Sequence, residues 1–125
     1  MVSLILMAIA VCCQTRLDTE NLIDQKSPFF LTKMSSAILL DRHQVVIEIN
    51  SEKWIKLVEF IKLNSNKWES TPASYEGDLI VVQDDFKLLI LNGKDSVVLN
   101  YKDKEGRSKQ YIKKVSYGEL DFLYA

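Results

Sequence analysis

Apolar residues in positions 51–64 recur at helical spacing. Trp54, Leu57, Val58 and Ile61 stand at i, i+3, i+4 and i+7, one stripe of a 3.6-residue helix. Ile55 and Phe60 flank that stripe, which makes the apolar face broad enough for a sheet rather than for a narrow two-helix seam. Asn50-Ser51 offers a side-chain oxygen to the free amides of a first turn. Glu52 suits the positive end of the helix dipole and pairs with Lys56 at i,i+4. Asn64-Ser65-Asn66 then ends the helix with residues that bond their own backbone.

Elsewhere the apolar period is two. Val45, Ile47 and Ile49 alternate with Val46, Glu48 and Asn50, predicting a half-buried strand with the odd positions inward, and Asp41-Arg42 would turn it back onto residues 37–40. Pro28 opens the body, and Phe29, Phe30 and Leu31 form its first apolar cluster. Asn92-Gly93 between two alternating runs predicts a type I′ hairpin. A two-residue loop there sets Leu88 opposite Val97, Phe86 opposite Leu99, Lys87 opposite Val98 and Leu89 opposite Ser96. An Asp84-Asp85 turn sets Val81 beside Leu88 and Leu79 beside Ile90, so three strands share one buried face. A last strand over residues 108–115 carries Tyr111 and Val115 on one parity and Ile112 on the other, with its register open. Ser116 to Glu119 reads as a capping box opening a short helix with Leu120, Leu123 and Tyr124. The expected fold class is α+β: one amphipathic helix packed on an antiparallel sheet, with a short C-terminal helix.

With 125 residues, 47% of them hydrophobic and 26% charged, the chain fits one globular core. Its net charge of -1 gives no field to collect nucleic acid. The two cysteines are the adjacent Cys12 and Cys13, so no disulfide can form within residues 14–125. They follow a run, Val2 to Val11, with no charge before Arg16. This run is shorter than the about 20 apolar residues of a membrane span and fits the about 7–15 of a signal-peptide core. Ala8-Ile9-Ala10 suits a general signal peptidase cutting after Ala10. The small and aliphatic residues before the cysteines resemble the lipobox of bacterial lipoproteins, which implies lipid attachment at Cys13, preceded by small Cys12, or at Cys12, preceded by bulkier Val11. Residues 1–13 are thus expected as a signal segment, 14–27 as a tether, and 28–125 as a single α+β domain.

The chemistry offered by the rest is thin. His43 is the only histidine and has no partner near it in sequence, so it reads as a strand-end residue. Residues 69–85 carry Glu69, Glu76, Asp78, Asp84 and Asp85 and no basic residue, but they lack the spacing of a calcium loop, so no metal is assigned. Residues 102–114 carry six cations against two anions. Lysines there would guard an edge strand, or Lys109, Lys113 and Lys114 would meet anionic headgroups, glycans or an acidic protein. After the helix, Trp68, Pro72 and Tyr75 mark an aromatic loop, with Trp68 and Tyr75 as candidate partner anchors. No phosphate loop, nucleophile elbow or histidine-glutamate metal motif occurs, so no catalytic residue and no cofactor is assigned.

The run Phe60-Ile61-Lys62 followed by Asn64 and Trp68 resembles a helix end of small uncharacterised bacterial lipoproteins of the envelope; the likeness brings no activity with it. The sequence therefore predicts an exported, lipid-anchored, non-enzymatic interaction domain of the cell envelope. It would be held at a membrane through its N-terminus and bind an envelope component or protein rather than nucleic acid. Release to the periplasm or medium is the alternative location, and carriage of a small apolar ligand between helix and sheet is the alternative function.

Overall fold

A computed structural model describes residues 14–33 and 44–124. The expected signal segment with Cys12 and Cys13, the strand at residues 37–40, its turn at Asp41-Arg42, and His43 lie outside those residues. Among the described residues seven strands form one antiparallel sheet: β1 (Phe29–Lys33), β2 (Gln44–Ile47), β3 (Glu69–Ser70), β4 (Gly77–Gln83), β5 (Phe86–Leu91), β6 (Ser96–Lys102) and β7 (Ser108–Lys114). Their spatial order is β2-β1-β4-β5-β6-β7-β3. A helix, α1 (Glu52–Leu63), joins the two outer strands of this order, and 3-10 turns occupy Thr19–Leu22 and Asp121–Leu123. The fold is a sheet-dominated α+β domain. No helix of the described residues is long and apolar enough to cross a membrane.

The helix begins and ends where its local chemistry dictates. The Ser51 hydroxyl accepts from the Trp54 amide at 3.2 Å, satisfying one of the free first-turn donors. At the other end the Asn64 amide nitrogen and its side chain both donate to the Phe60 carbonyl, at 3.1 Å and 2.8 Å. Trp54, Leu57, Val58, Phe60 and Ile61 are buried in the cluster that holds Leu79, Val81, Phe86, Leu88, Ile90, Val97 and Leu99 from the sheet. Phe29 meets Phe86 edge-on at 6.4 Å between ring centroids, a favoured aromatic geometry.

The Asp84-Asp85 hairpin pairs Val81 with Leu88 and Leu79 with Ile90, as the alternation requires. The next hairpin differs from expectation. Ile90 pairs with Val97 and Leu88 with Leu99, two residues away from the register of a type I′ loop. Residues 92–95 all belong to the connection, with positive φ at Gly93 and Lys94 rather than at Asn92. A two-residue slip keeps every side chain on its own face, so apolar alternation tolerates either register.

Of the three expected core positions of this strand only Ile47 is buried; Val45 in β2 is 50% exposed, and Ile49, beyond the end of β2, is 39% exposed. Val45 sits opposite Leu31, on the core face, but β2 is an outer strand and this end of it is remote from the chain's exit into the helix. The C-terminal capping box is half formed, with the Ser116 amide donating to Glu119 Oε2 at 3.0 Å. It opens a 3-10 turn rather than an α-helix, and Leu120 and Leu123 are both buried.

Residues 14–27, expected as a tether, lie against the domain. Thr15 exchanges backbone hydrogen bonds with Trp68, N to O at 2.6 and 3.1 Å, and Leu17, Thr19 and Ile23 are buried. On the opposite sheet face residues 71–76 run from outside β7 to the middle of the sheet. They pass three strands, roughly 19 Å at about 4.8 Å per step, so the segment is close to full extension. The Gln110 amide, on that face, donates to the carbonyls of Thr71 at 3.0 Å and Ala73 at 2.7 Å. Where the segment enters β4, a Cβ at Gly77 would collide with the Ile90 carbonyl and the Leu89 side chain, so this close approach needs glycine.

Candidate binding groove

The residues singled out from sequence do not converge. Trp68, expected on the surface, is 2% exposed. Its indole N–H donates to the Asn64 carbonyl at 2.8 Å, and the bridge with Thr15 lays the N-terminal segment beside it. Tyr75 is half-buried in the extended segment, its hydroxyl 2.7 Å from the Thr71 hydroxyl. β7 is not the outer strand, since β3 pairs with it at Tyr111 and Ile112. Successive strand residues point to opposite faces, and the pairs Tyr101 with Lys109, Val97 with Lys113 and Ser96 with Lys114 put Lys109 and Lys113 on the core face and Lys114 on the other. Lys113 lies 5.9 Å from the Trp68 ring centroid, at the outer range of a cation–π contact. Burial pulls its pKa below the ordinary lysine value, the Glu119 carboxylate opposes that and the Lys67 ammonium adds to it. The basic run is thus spread over two faces and a turn, where Arg107 pairs with Asp103 and Glu105.

A different feature emerges at one end of the sheet. The Asp84-Asp85 turn, the end of β6 and the strap formed by residues 17–24 enclose an open groove of about 810 Å³. Leu17, Ile23 and Phe86 form a buried apolar floor, with Leu22 and Tyr101 half-buried beside them. Its rim carries Asp18, Asp24, Asp84, Asp85 and Asp103 against Lys102 and Lys104, so five carboxylates and two ammonium groups leave a formal local charge of -3.

Polar clamps hold the strap in place. Gln83, buried on the core face of β4, accepts from the Asp24 amide at 2.6 Å and donates to the Asp24 carbonyl at 2.8 Å and the Ser27 carbonyl at 3.2 Å. The Thr19 hydroxyl donates to the Ile61 carbonyl at 2.5 Å, and the Leu17 amide to the Ser65 carbonyl at 2.8 Å. These bonds satisfy buried polar groups that would otherwise be costly.

The carboxylates divide by task. Asp24 accepts from the Lys26 amide and the Ser27 hydroxyl, and those bonds lower its pKa. Asp103 accepts from the amides of Arg107 and Glu105 and from the Arg107 guanidinium; the Arg107 amide is the largest of the influences that lower its pKa. Asp84 and Asp85 are exposed at the turn tip, and neither carboxylate is engaged among the described residues. Tyr101 stacks on Tyr111 at 6.2 Å and 12° between planes, and its phenol is pushed up to about 12, by burial first and then by Tyr111. An apolar floor beneath free carboxylates and an aromatic wall suits a ligand that joins apolar and cationic groups.

Among the described residues no group of three or more histidine, cysteine, aspartate or glutamate side chains could hold a metal ion. Between helix and sheet, the space bordered by Phe60, Ile61, Trp68 and Leu88 is about 10 Å³, room for about one water. Sequence reasoning saw the Asp84-Asp85 turn but missed Gln83 and Tyr101. The available signal was the apolar trio Leu17, Leu22 and Ile23, which has no reason to recur in a solvated tether. No family model, curated protein or solved structure matches this chain.

Proposed function

We propose that this chain is a small, non-enzymatic binding domain of the cell envelope, exported and anchored at a membrane through a lipid on Cys13 or Cys12, that takes a segment of a protein partner bearing both basic and apolar side chains. The open groove beneath Asp84 and Asp85 carries this reading, because it pairs an apolar floor with carboxylates that nothing among the described residues engages. The amphipathic helix, packed on the sheet, is scaffold in this reading. The N-terminal apolar run and the confinement of both cysteines to its end support export and anchoring.

A fluorescent peptide alternating lysine and leucine, with a glutamate-leucine peptide as its control, tests the groove. The protein should bind the lysine peptide alone. Asp84→Asn with Asp85→Asn should weaken it several-fold, since each exposed pair contributes up to about 1 kcal/mol. Equal binding of the two peptides would exclude the groove as a site for cations. Metabolic labelling with a fatty acid, in wild type, Cys12→Ser and Cys13→Ser, tests the anchor; an unlabelled wild type removes it.

A further inference from the structure

Strand β2 ends the sheet without the usual protection of an edge. No further strand pairs with it among the described residues, so within them one side of its backbone lacks a ladder partner. Outer strands are ordinarily guarded by lysine, by proline or by being very short. The opposite edge fits that rule, since β3 is two residues long and one of them is Glu69. The four residues of β2, Gln44-Val45-Val46-Ile47, include no charge and no proline. The lysines expected to guard an edge are in β7, which lies inside the sheet.

Apolar exposure gathers at the same place. Four of the six large apolar side chains exposed among the described residues, Val45, Val46, Ile49 and Ile55, fall between positions 45 and 55, the strand and the first helical turn after it. Val46 is 44% exposed although it continues a row on the far face of the sheet, lying opposite Phe30 as Phe30 lies opposite Val82. On the core face Val45 continues the row of Leu31 and Val81. Both rows stop at β2 with an apolar residue uncovered.

The segment Gln44-Val45-Val46-Ile47-Glu48 has one pattern from either end: polar, three apolar, polar, centred on Val46. Such a strand is complementary to an antiparallel copy of itself, as a twofold interface requires. We propose that β2 is a self-association surface, pairing with β2 of a second copy of this chain about a twofold axis through Val46. Residues directly opposite in an antiparallel pair share a face, so the axis stands normal to the sheet and both helices lie on one side. Val46 then faces its own counterpart, Val45 faces the second copy's Ile47, and Gln44 faces the second copy's Glu48, an amide opposite a carboxylate. The far-face row of Val82, Phe30 and Val46 runs on across the seam, and Val45 is covered. No groove residue belongs to β1 or β2, so both copies keep their grooves open, and the pairing depends on neither the groove nor the anchor. Five residues a side is far below the about 20–30 of a standard interface, which makes the dimer weak and reversible.

The test uses the full chain with Cys12→Ser and Cys13→Ser, so that an introduced thiol is the only one. Sedimentation equilibrium up to the order of hundreds of micromolar should show monomer and dimer in exchange. Val46→Lys sets two like charges opposite each other at the axis and should raise the dissociation constant at least tenfold, with a circular dichroism melt close to the parent's showing that it is folded. Opposite residues stand about 4.5–5.5 Å apart between Cα atoms, within disulfide reach. Val45 and its counterpart lie on a diagonal, about 7–8 Å apart. Under mild oxidation Val46→Cys should therefore give a linked dimer, and Val45→Cys little more than Leu63→Cys, which at 72% exposure reports random collision. A monomer at every concentration overturns the proposal. So does a dimer that Val46→Lys leaves intact, the outcome if residues 2–11 rather than β2 hold the copies together. Val46→Cys linking no faster than Leu63→Cys overturns it as well.

Discussion

Replacing Trp68 with alanine separates a core tryptophan from a surface anchor. A tryptophan buries roughly 150–250 Å², worth roughly 4–6 kcal/mol at about 25 cal/mol per Å² against a fully extended chain. A realistic unfolded ensemble is more compact and brings that to roughly 3–5 kcal/mol, the range in which large core side chains fall when cut to alanine. Trp68, at 2% exposure, should realise most of it. The variant also leaves the Asn64 carbonyl without the indole donor at 2.8 Å, adding about 1 kcal/mol. Trp68→Phe keeps most of the apolar area and removes that donor, so it should lose about 1–2 kcal/mol. Urea unfolding followed by far-ultraviolet circular dichroism reads both. With a slope of about 1.5 kcal/mol per molar, the alanine midpoint should fall by roughly 3–4 M and the phenylalanine midpoint by about 1 M. An alanine variant within about 0.5 kcal/mol of wild type, the behaviour of exposed positions, would refute the burial and return Trp68 to the surface.

Two further predictions test other parts of the fold. Ile47→Ala should cost about 2–4 kcal/mol and Val45→Ala less than about 1 kcal/mol in the same urea assay, because only Ile47 of that alternating pair is buried; equal losses would mean the outer strand is covered along its whole length. In an alkaline titration followed by phenolate absorbance, Tyr101 and Tyr124, both pushed up to about 12, should ionise later than an ordinary phenol at 10.0. Folded values above the unfolded one mean that their contribution to stability is complete below 10.0 and is lost as pH rises through about 12; all five tyrosines titrating together near 10 would contradict the burial that causes the shift.

What could be read from sequence was what local chemistry over-determines. The helix was legible because its apolar period, the Ser51 cap, the Glu52 to Lys56 pair at 3.0 Å and the Asn64 stop all agree. The face shared by β4, β5 and β6 was legible because alternation leaves a single parity for the core. Alternation is blind to a two-residue slip, and that is how the β5–β6 register escaped. The groove was illegible for a different reason. Its strap has no period, and the clamp that holds it joins Asp24 to Gln83, 59 residues apart; a glutamine in a strand reads as a solvated position until its partners are known.

The fate of the basic run carries the same reasoning to function. Within a strand, like charges close in sequence do not sum into a patch, because Lys113 and Lys114 leave opposite faces and Arg107 is consumed by Asp103 and Glu105 in the turn. A patch assembles instead where separate chain segments meet. The acidic groove obeys the same rule: Asp18, Asp84 and Asp103 come from the strap and two separate turns. The charge of the groove is a product of topology. A substitution that frees the strap from Gln83 should therefore blunt the groove while leaving the backbone bridge between Thr15 and Trp68 in place.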